Sequence, residues 1–313
     1  MRRFVSLLAA VATMWVAMGC QETLEQVGAE AEYQDVTIAV GIAASGATKT
    51  IADGSLATCL DFAVYHDGKY LSSIRPASGN EPAKNAVVTG TAGNWQVTLT
   101  LAKNVEYDIV FWAHAEGAPY TFNKADHQIV VDYAGAANAE VRDAFYERVE
   151  GYKVNSTPVT VELKRPFAQI NIGAADYDPY ITDFDFAMTS AISCKAPSVL
   201  DVLDGSVSEE VNVEFALAQI PYETGSKVLT QVDGVTYHWM SMNYILAAQT
   251  NANIYGDIEA TFNYNGSDLK VSIPSVPYRR NFKTNILGTL FTGPAKFNVV
   301  VLPGFAGDLV DNI

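Results

Sequence analysis

The chain has 313 residues and a formal net charge of −15, from 20 Lys+Arg against 35 Asp+Glu. Charged residues make up 18% and aromatic residues 11%, with 16 tyrosines, a composition that suits β-sheets rather than helical bundles. Such an acidic surface, with no basic cluster to offset it, repels phosphate backbones and excludes nucleic acid as a partner, while the length predicts two domains with separate cores.

Residues 1–20 read as an export signal. Arg2-Arg3 give a positive start, Phe4–Val16 an apolar core, and Ala17-Met18-Gly19 small residues before a cleavage site. The run is too short for a comfortable membrane span. Cys20, directly after Ala-Met-Gly, resembles the end of a bacterial lipobox, so Cys20 is the expected lipidation site of an outer-membrane anchor. A secretory signal without lipidation is the alternative. Residues 21–34 then form a polar tether of Gln, Glu, Ala and Gly.

The first strand is Asp35–Ala43, in which Val36, Ile38, Val40 and Ile42 alternate with Thr37, Ala39 and Gly41. A small, polar loop follows and holds Lys49, the first basic residue after Cys20. Five Asp-Gly or Asn-Gly pairs, at 53, 67, 204, 233 and 265, mark tight hairpin turns. Phe62–Tyr65 and Lys69–Leu71 flank the second. Val97, Leu99 and Leu101, then Tyr107, Ile109 and Phe111, alternate with their neighbours to complete a meander. Asn138–Val149 breaks the pattern. With apolar Val141, Phe145 and Val149, a cap at Asn138 and Glu140 in the first turn, it predicts a short amphipathic helix on a long loop. Val159–Leu163 is a strand that runs into Pro166 and resumes at Phe167–Ile172, which predicts an edge or a bulge.

The second half repeats the theme, with strands expected at Phe184–Ala191, Val211–Leu217, Val235–Ala247, Ile254–Tyr264 and Leu269–Ile273. The chain closes on two apolar runs, Asn285–Phe291 and Lys296–Leu302, joined by Thr292-Gly293-Pro294-Ala295. Both runs are apolar on two faces and need cover on both sides. The expected architecture is all-β: two tandem transthyretin- or Ig-like β-sandwich domains with a short helix in a long loop, over residues 35–172 and 173–313.

The order Arg279, Asn281-Phe282-Lys283-Thr284-Asn285-Ile286, Gly288, Phe297-Asn298-Val299 and Pro303-Gly304-Phe305 resembles the C-terminus of the fimbrillin family, the pilus subunits and fimbrillin-like lipoproteins of Bacteroides-like bacteria. Lys164–Gln169 and Met240–Tyr244 are shorter blocks of the same resemblance. It implies assembly by strand exchange, in which a trypsin-like protease removes an N-terminal strand and a neighbour lends its C-terminal strands. The removable strand would be the one bearing Val36, Ile38, Val40 and Ile42, with the cut after Lys49. Family members commonly carry Arg at that site. The donor strands would carry Ile286, Leu287, Leu290 and Phe291, and Phe297, Val299 and Val301.

No chemistry competes with that reading. His66, His114, His127 and His238 form no HxH or HExxH spacing. Asp176-Tyr177-Asp178 and Asp183-Phe184-Asp185 are the best metal candidates, but lack the glycine and terminal glutamate of a calcium loop. Cys59 and Cys194 fall in different expected domains and are read as free thiols. No nucleophile elbow, phosphate loop or dinucleotide fingerprint is present, so the chain is read as a non-enzyme with no cofactor and no metal. The expected function is that of a lipid-anchored structural subunit of a surface fimbrium, partnered by other fimbrial subunits, by the outer membrane and by a host or bacterial surface ligand. A monomeric glycan-binding outer-membrane lipoprotein, presenting aromatics such as Trp95, Trp112 and Trp239, is the alternative.

Overall fold

The computed structural model describes residues 31–42, 53–74, 86–155, 157–176, 188–220, 229–264 and 266–303. Cys20, Lys49 and the acidic positions Asp178–Asp185 therefore lie outside the described residues. Nearly everything described is strand, in four sheets that face one another in two pairs.

The first pair is built from β1 (Tyr33–Ile42), β2 (Cys59–His66), β3 (Lys69–Tyr70), β4 (Val87–Thr91), β5 (Asn94–Ala102), β6 (Glu106–His114), β9 (Phe145–Lys153) and β10 (Val159–Leu163). One sheet has the order β10-β1-β5-β4 and the other β3-β2-β6-β9. The period-two pattern predicted for β1 and β5 places Val36, Ile38 and Val40 opposite Leu99, Val97 and Trp95 in one core, closed by Ile109 and Phe111 of β6. The Asp67-Gly68 turn joins β2 to β3 with both residues at positive φ, 49° and 73°, as a tight hairpin requires.

The second pair contains β7 (Tyr120–Asn123), β8 (Gln128–Val131), β11 (Phe167–Ala174), β12 (Thr189–Asp201), β13 (Val207–Glu214), β14 (Leu229–Val232), β15 (Val235–Leu246), β16 (Ile254–Tyr264), β17 (Ser267–Tyr278), β18 (Phe282–Thr289) and β19 (Lys296–Pro303). Its sheets run β14-β15-β11-β18-β19 and β17-β16-β12-β8-β7, with β13 paired to β12. Three of these strands sit where the division at residue 172 did not put them. The β7–β8 hairpin leaves the first half of the chain to pair with β12, and β11 lies between β15 and β18. Sheet membership thus follows long-range pairing rather than chain order. Pro166 is neither at an edge nor in a bulge. It stands between β10 and β11, where the chain crosses from one sheet pair to the other, and its carbonyl accepts from Ala247 N.

The β2–β6 sheet is apolar on both faces. Val64, Ile109 and Phe111 enter the first core, while Ala63, Tyr65, Val110 and Trp112 enter the second. Trp112 meets Tyr120 edge-on at 5.2 Å and Phe167 at 6.4 Å, so the two halves share one wall.

The predicted helix at Asn138–Val149 shrinks to a single 3-10 turn, Glu140–Arg142. Phe145 onward is β9, paired antiparallel with β6. The i, i+4 spacing of Val141, Phe145 and Val149 matched a helix, but the sheet offered more burial for Phe145 and Tyr146. Asn138 is no cap. At φ 57° it is buried and links three segments. Its amide nitrogen donates to Ser190 and to the Ala218 carbonyl, and its side-chain oxygen accepts from Met242 N at 2.8 Å.

Candidate strand-exchange site

The strand β1 lies inside its sheet. Ile38–Ile42 pair in parallel with Val159–Leu163 of β10, and Tyr33–Gly41 pair antiparallel with Ala102–Asn94 of β5. Ile38 and Val40 are fully buried, Val36 nearly so, and Ile42 packs at the margin of the same core. The opposite face is polar: Thr37 bonds Thr98 at 3.0 Å, and the Thr100 hydroxyl donates to Asp35 at 2.6 Å. Taking β1 away would leave a slot between β5 and β10 with an apolar floor. β1 ends at Ile42 and the next described residue is Asp53, so the cleavage candidate Lys49 belongs to the segment between them.

At the other end, β18 and β19 form the predicted hairpin, antiparallel from Phe282↔Pro303 to Thr289↔Lys296. The two strands have different standing. β18 is interior, paired in parallel with β11 and burying Ile286 and Leu287 on opposite sides of the sheet, with Leu290 buried just past its end. Ile286 and Leu290 join the main second core, and Leu287 packs with Ile220 and Trp239. β19 is the edge strand. Phe297 and Val299 lean on the second core from one face, with Val301 half-buried in line with them, while Val300 and Leu302 stand half-buried on the other. Phe291 lies in the intervening turn, packed against the same core. An edge strand apolar on both faces, with one main-chain edge unpaired among the described residues, is a surface to which another strand can add.

Asp176, the first acidic metal candidate, serves this hairpin. Its carboxylate accepts from the backbone N–H groups of Leu290, Phe291 and Thr292 and from the Thr292 hydroxyl, all at 2.8–2.9 Å. Burial pushes its carboxyl up, but those bonds outweigh it and hold it below the usual carboxylate range.

The three blocks that carried the family resemblance converge on one place. Arg165 N donates to Asn281 Oδ1, and Asn281 N to the Phe167 carbonyl. Gln169 donates to Tyr244 Oη, and Asn171 Nδ2 to Asn285 Oδ1 at 2.9 Å. The Arg165 guanidinium grips buried Asp143 in a two-pronged pair at 2.6 and 2.7 Å and stacks on Phe145. These motif residues therefore form a buried polar ladder along β15-β11-β18 that fixes register, and offer no surface to a ligand. Sequence reasoning missed Asp143 and read Asn138 as a cap, since neither role stands out until the partner across the fold is known.

Among the described residues no group of three or more His, Cys, Asp or Glu side chains is placed to hold a metal ion. His114 Nε2 lies 3.3 Å from Asp61, which also meets Lys124 at 3.4 Å. Cys59 and Cys194 are free and stand in different sheets, and burial pushes the Cys194 thiol up to about 12. No helix among the described residues is long and apolar enough to cross a membrane.

Residues 30–313 match the model of a family described as a family of unknown function, DUF6562. The chain belongs to that family. No curated protein matches it. Among solved structures it is similar to a putative cell adhesion protein from Bacteroides ovatus, at 11% identity and a TM-score of 0.51 over 88% of this chain and 100% of that one. Further matches are a putative cell adhesion protein from Bacteroides uniformis, at 15% identity and 0.47 over 85% and 96%, and the C-terminally truncated tip fimbrial protein Mfa3 from Porphyromonas gingivalis, at 13% and 0.43 over 86% and 100%. The Bacteroides ovatus match shows a shared fold, and the all-β architecture expected from the sequence is the one the chain adopts.

Proposed function

We propose that this DUF6562 protein is a non-enzymatic, lipid-anchored structural subunit of a surface fimbrium, held at the outer membrane through Cys20 and assembled with other subunits by strand exchange. The observation that carries this reading is the pairing, within one chain, of a strand that can vacate a slot and an edge strand that can fill one. β1 buries one apolar face between β5 and β10 and is followed by the segment that holds Lys49. Losing it uncovers four side-chain sites, each worth about 1.5–3 kcal/mol of burial, so a cut chain gains by accepting a replacement. Of the two proposed donor runs, β19 with Phe297, Val299 and Val301 is the better suited. It parts from one neighbour only, whereas β18 with Ile286 and Leu287 is locked into its own core.

Limited trypsin treatment of the purified chain tests this. Cutting after Lys49 should convert monomer into ladders on non-denaturing gels, and deleting residues 296–313 should abolish the ladders without preventing the cut. If the truncated chain assembles as well as the full one, or if cutting leaves the protein monomeric, strand exchange is wrong here. Cys20→Ser should move the protein from the membrane fraction to the soluble one, and equal partition of mutant and wild type would remove the anchor from the proposal.

A further inference from the structure

The second sheet pair contains an opening that strand exchange does not use. β12 pairs with β16 only as far as Cys194↔Ile258, and the same side of β12 then takes β8 from Val199. Between those two points the strands part. Residues 254–256 of β16 pair with β17 on one side, Asp257 forms a bulge, and no strand among the described residues pairs with the other side. The fork leaves an open cleft of about 590 Å³ bounded by β12, β13, β16 and the end of β17, within the size range of small-ligand sites. Its floor reaches the ring of Tyr278. Gly256 lets that ring lie against β16, since a Cβ there would come within 3.3 Å of Tyr278 Cε1. At its rim stands Tyr255, 65% exposed, the most exposed large apolar side chain among the described residues.

We infer that this fork is a binding site for a neutral saccharide, stacked on Tyr255 and hydrogen-bonded by the rim. The aromatic face at the rim suits the C–H face of a pyranose, because the ring's negative quadrupole attracts polarised C–H groups. The surrounding side chains can direct hydroxyls. Glu210 and Glu259 accept, the Lys195 ammonium donates, and Asn212 does both. Lys195 and Glu210 are 3.8 Å apart and Glu259 and Lys270 likewise, loose surface pairs that a ligand's hydroxyls can enter at small cost. One lysine faces four carboxylates in the lining, so sialylated, uronic or sulfated sugars are repelled and neutral ones are not. The opening lies on the β12–β16 sheet, whereas β1 and β19 belong to other sheets, so strand exchange need not occupy it.

The test uses the full, uncut chain and saturation-transfer NMR with chitotriose, N-acetyllactosamine, mannotriose and cellotriose, and 3′-sialyllactose as the acidic control. At least one neutral probe should bind, and 3′-sialyllactose should not. Tyr255→Ala should weaken the bound probe about tenfold, and Tyr255→Phe should hold it within about twofold, because stacking rather than the hydroxyl is the contact. Glu210→Gln should weaken it by a smaller factor. Both positions are exposed, and unchanged circular dichroism checks the fold. No signal from any neutral probe, equal binding by Tyr255→Ala, or preference for 3′-sialyllactose would each overturn the assignment. Because the chain is uncut in this experiment, its outcome is independent of whether cutting after Lys49 drives assembly.

Discussion

β1 and β18 occupy comparable places in their two sheets, and the contrast between them explains which end of the chain can be surrendered. Each has a parallel neighbour on one side, β10 or β11, and an antiparallel neighbour on the other, β5 or β19. β1 buries only alternate residues and carries Thr37 and Asp35 on a hydrogen-bonded outer face. β18 buries Ile286 and Leu287 on opposite faces and adds Asn285 to an internal polar ladder. Taking out β1 exposes one apolar face; taking out β18 would open two cores and orphan buried amides. A strand of period two is severable, whereas one covered on both sides is structural.

The largest expected effect lies where the two halves meet. Arg165→Ala strands the buried Asp143 carboxylate and should cost about 3–5 kcal/mol in urea unfolding. The double change Asp143→Leu with Arg165→Met should recover most of that loss. If it does not, the pair contributes more than mutual neutralisation.

Next, Ile38→Ala and Ile286→Ala each empty a fully buried site and should each cost about 2–5 kcal/mol. Their kinetic consequences should differ. After trypsin treatment, Ile38→Ala should speed ladder formation by loosening the outgoing strand, and Ile286→Ala should not. Equal acceleration by both would erase the distinction between the two strands.

A smaller effect is expected at Asp176. Asp176→Ala frees three backbone N–H groups at the start of the β18–β19 turn and should cost about 1–3 kcal/mol. Because the folded carboxyl titrates below its ordinary value, its stabilisation is present above about pH 4 and is lost as pH falls through the folded value. Hydrogen exchange should therefore show β19 amides opening in acid before those of β5.

The smallest concerns Asp61, His114 and Lys124, which tie β2 and β6 to the β7–β8 hairpin. The hydrogen bond to Asp61 raises the His114 imidazole above its ordinary value, and the same bond with His114, aided by Lys124, lowers the Asp61 carboxyl. The His114 contribution is full below about pH 6.5 and fades as pH rises through the folded value, while the Asp61 contribution fades in acid. The link is strongest at mildly acidic pH. His114→Gln should remove less than about 1 kcal/mol of stability at pH 5.5 and almost none at pH 8, since the groups are partly exposed.

Local chemistry made much of this protein legible in its sequence. The alternation of Val36, Ile38 and Val40, the Asp67-Gly68 turn and the Gly-Pro-interrupted closing hairpin all depend on neighbours within a few residues, and they fold as read. The family resemblance also rested on short blocks, and their residues meet in a buried ladder whose function is to set register. What the tertiary structure alone decided is how those pieces combine. The i, i+4 spacing of Val141, Phe145 and Val149 fits a helix equally well, and only β6 alongside makes it a strand. Pro166 looks like a strand defect until β10 and β11 are seen in different sheets. Asn138 looks like a cap until Ser190, Ala218 and Met242, 52 to 104 residues away, surround it. The fork between β12 and β16 leaves no mark on either strand, because a gap in a sheet is a property of which strands lie side by side, and sequence fixes the faces of a strand more directly than its neighbours.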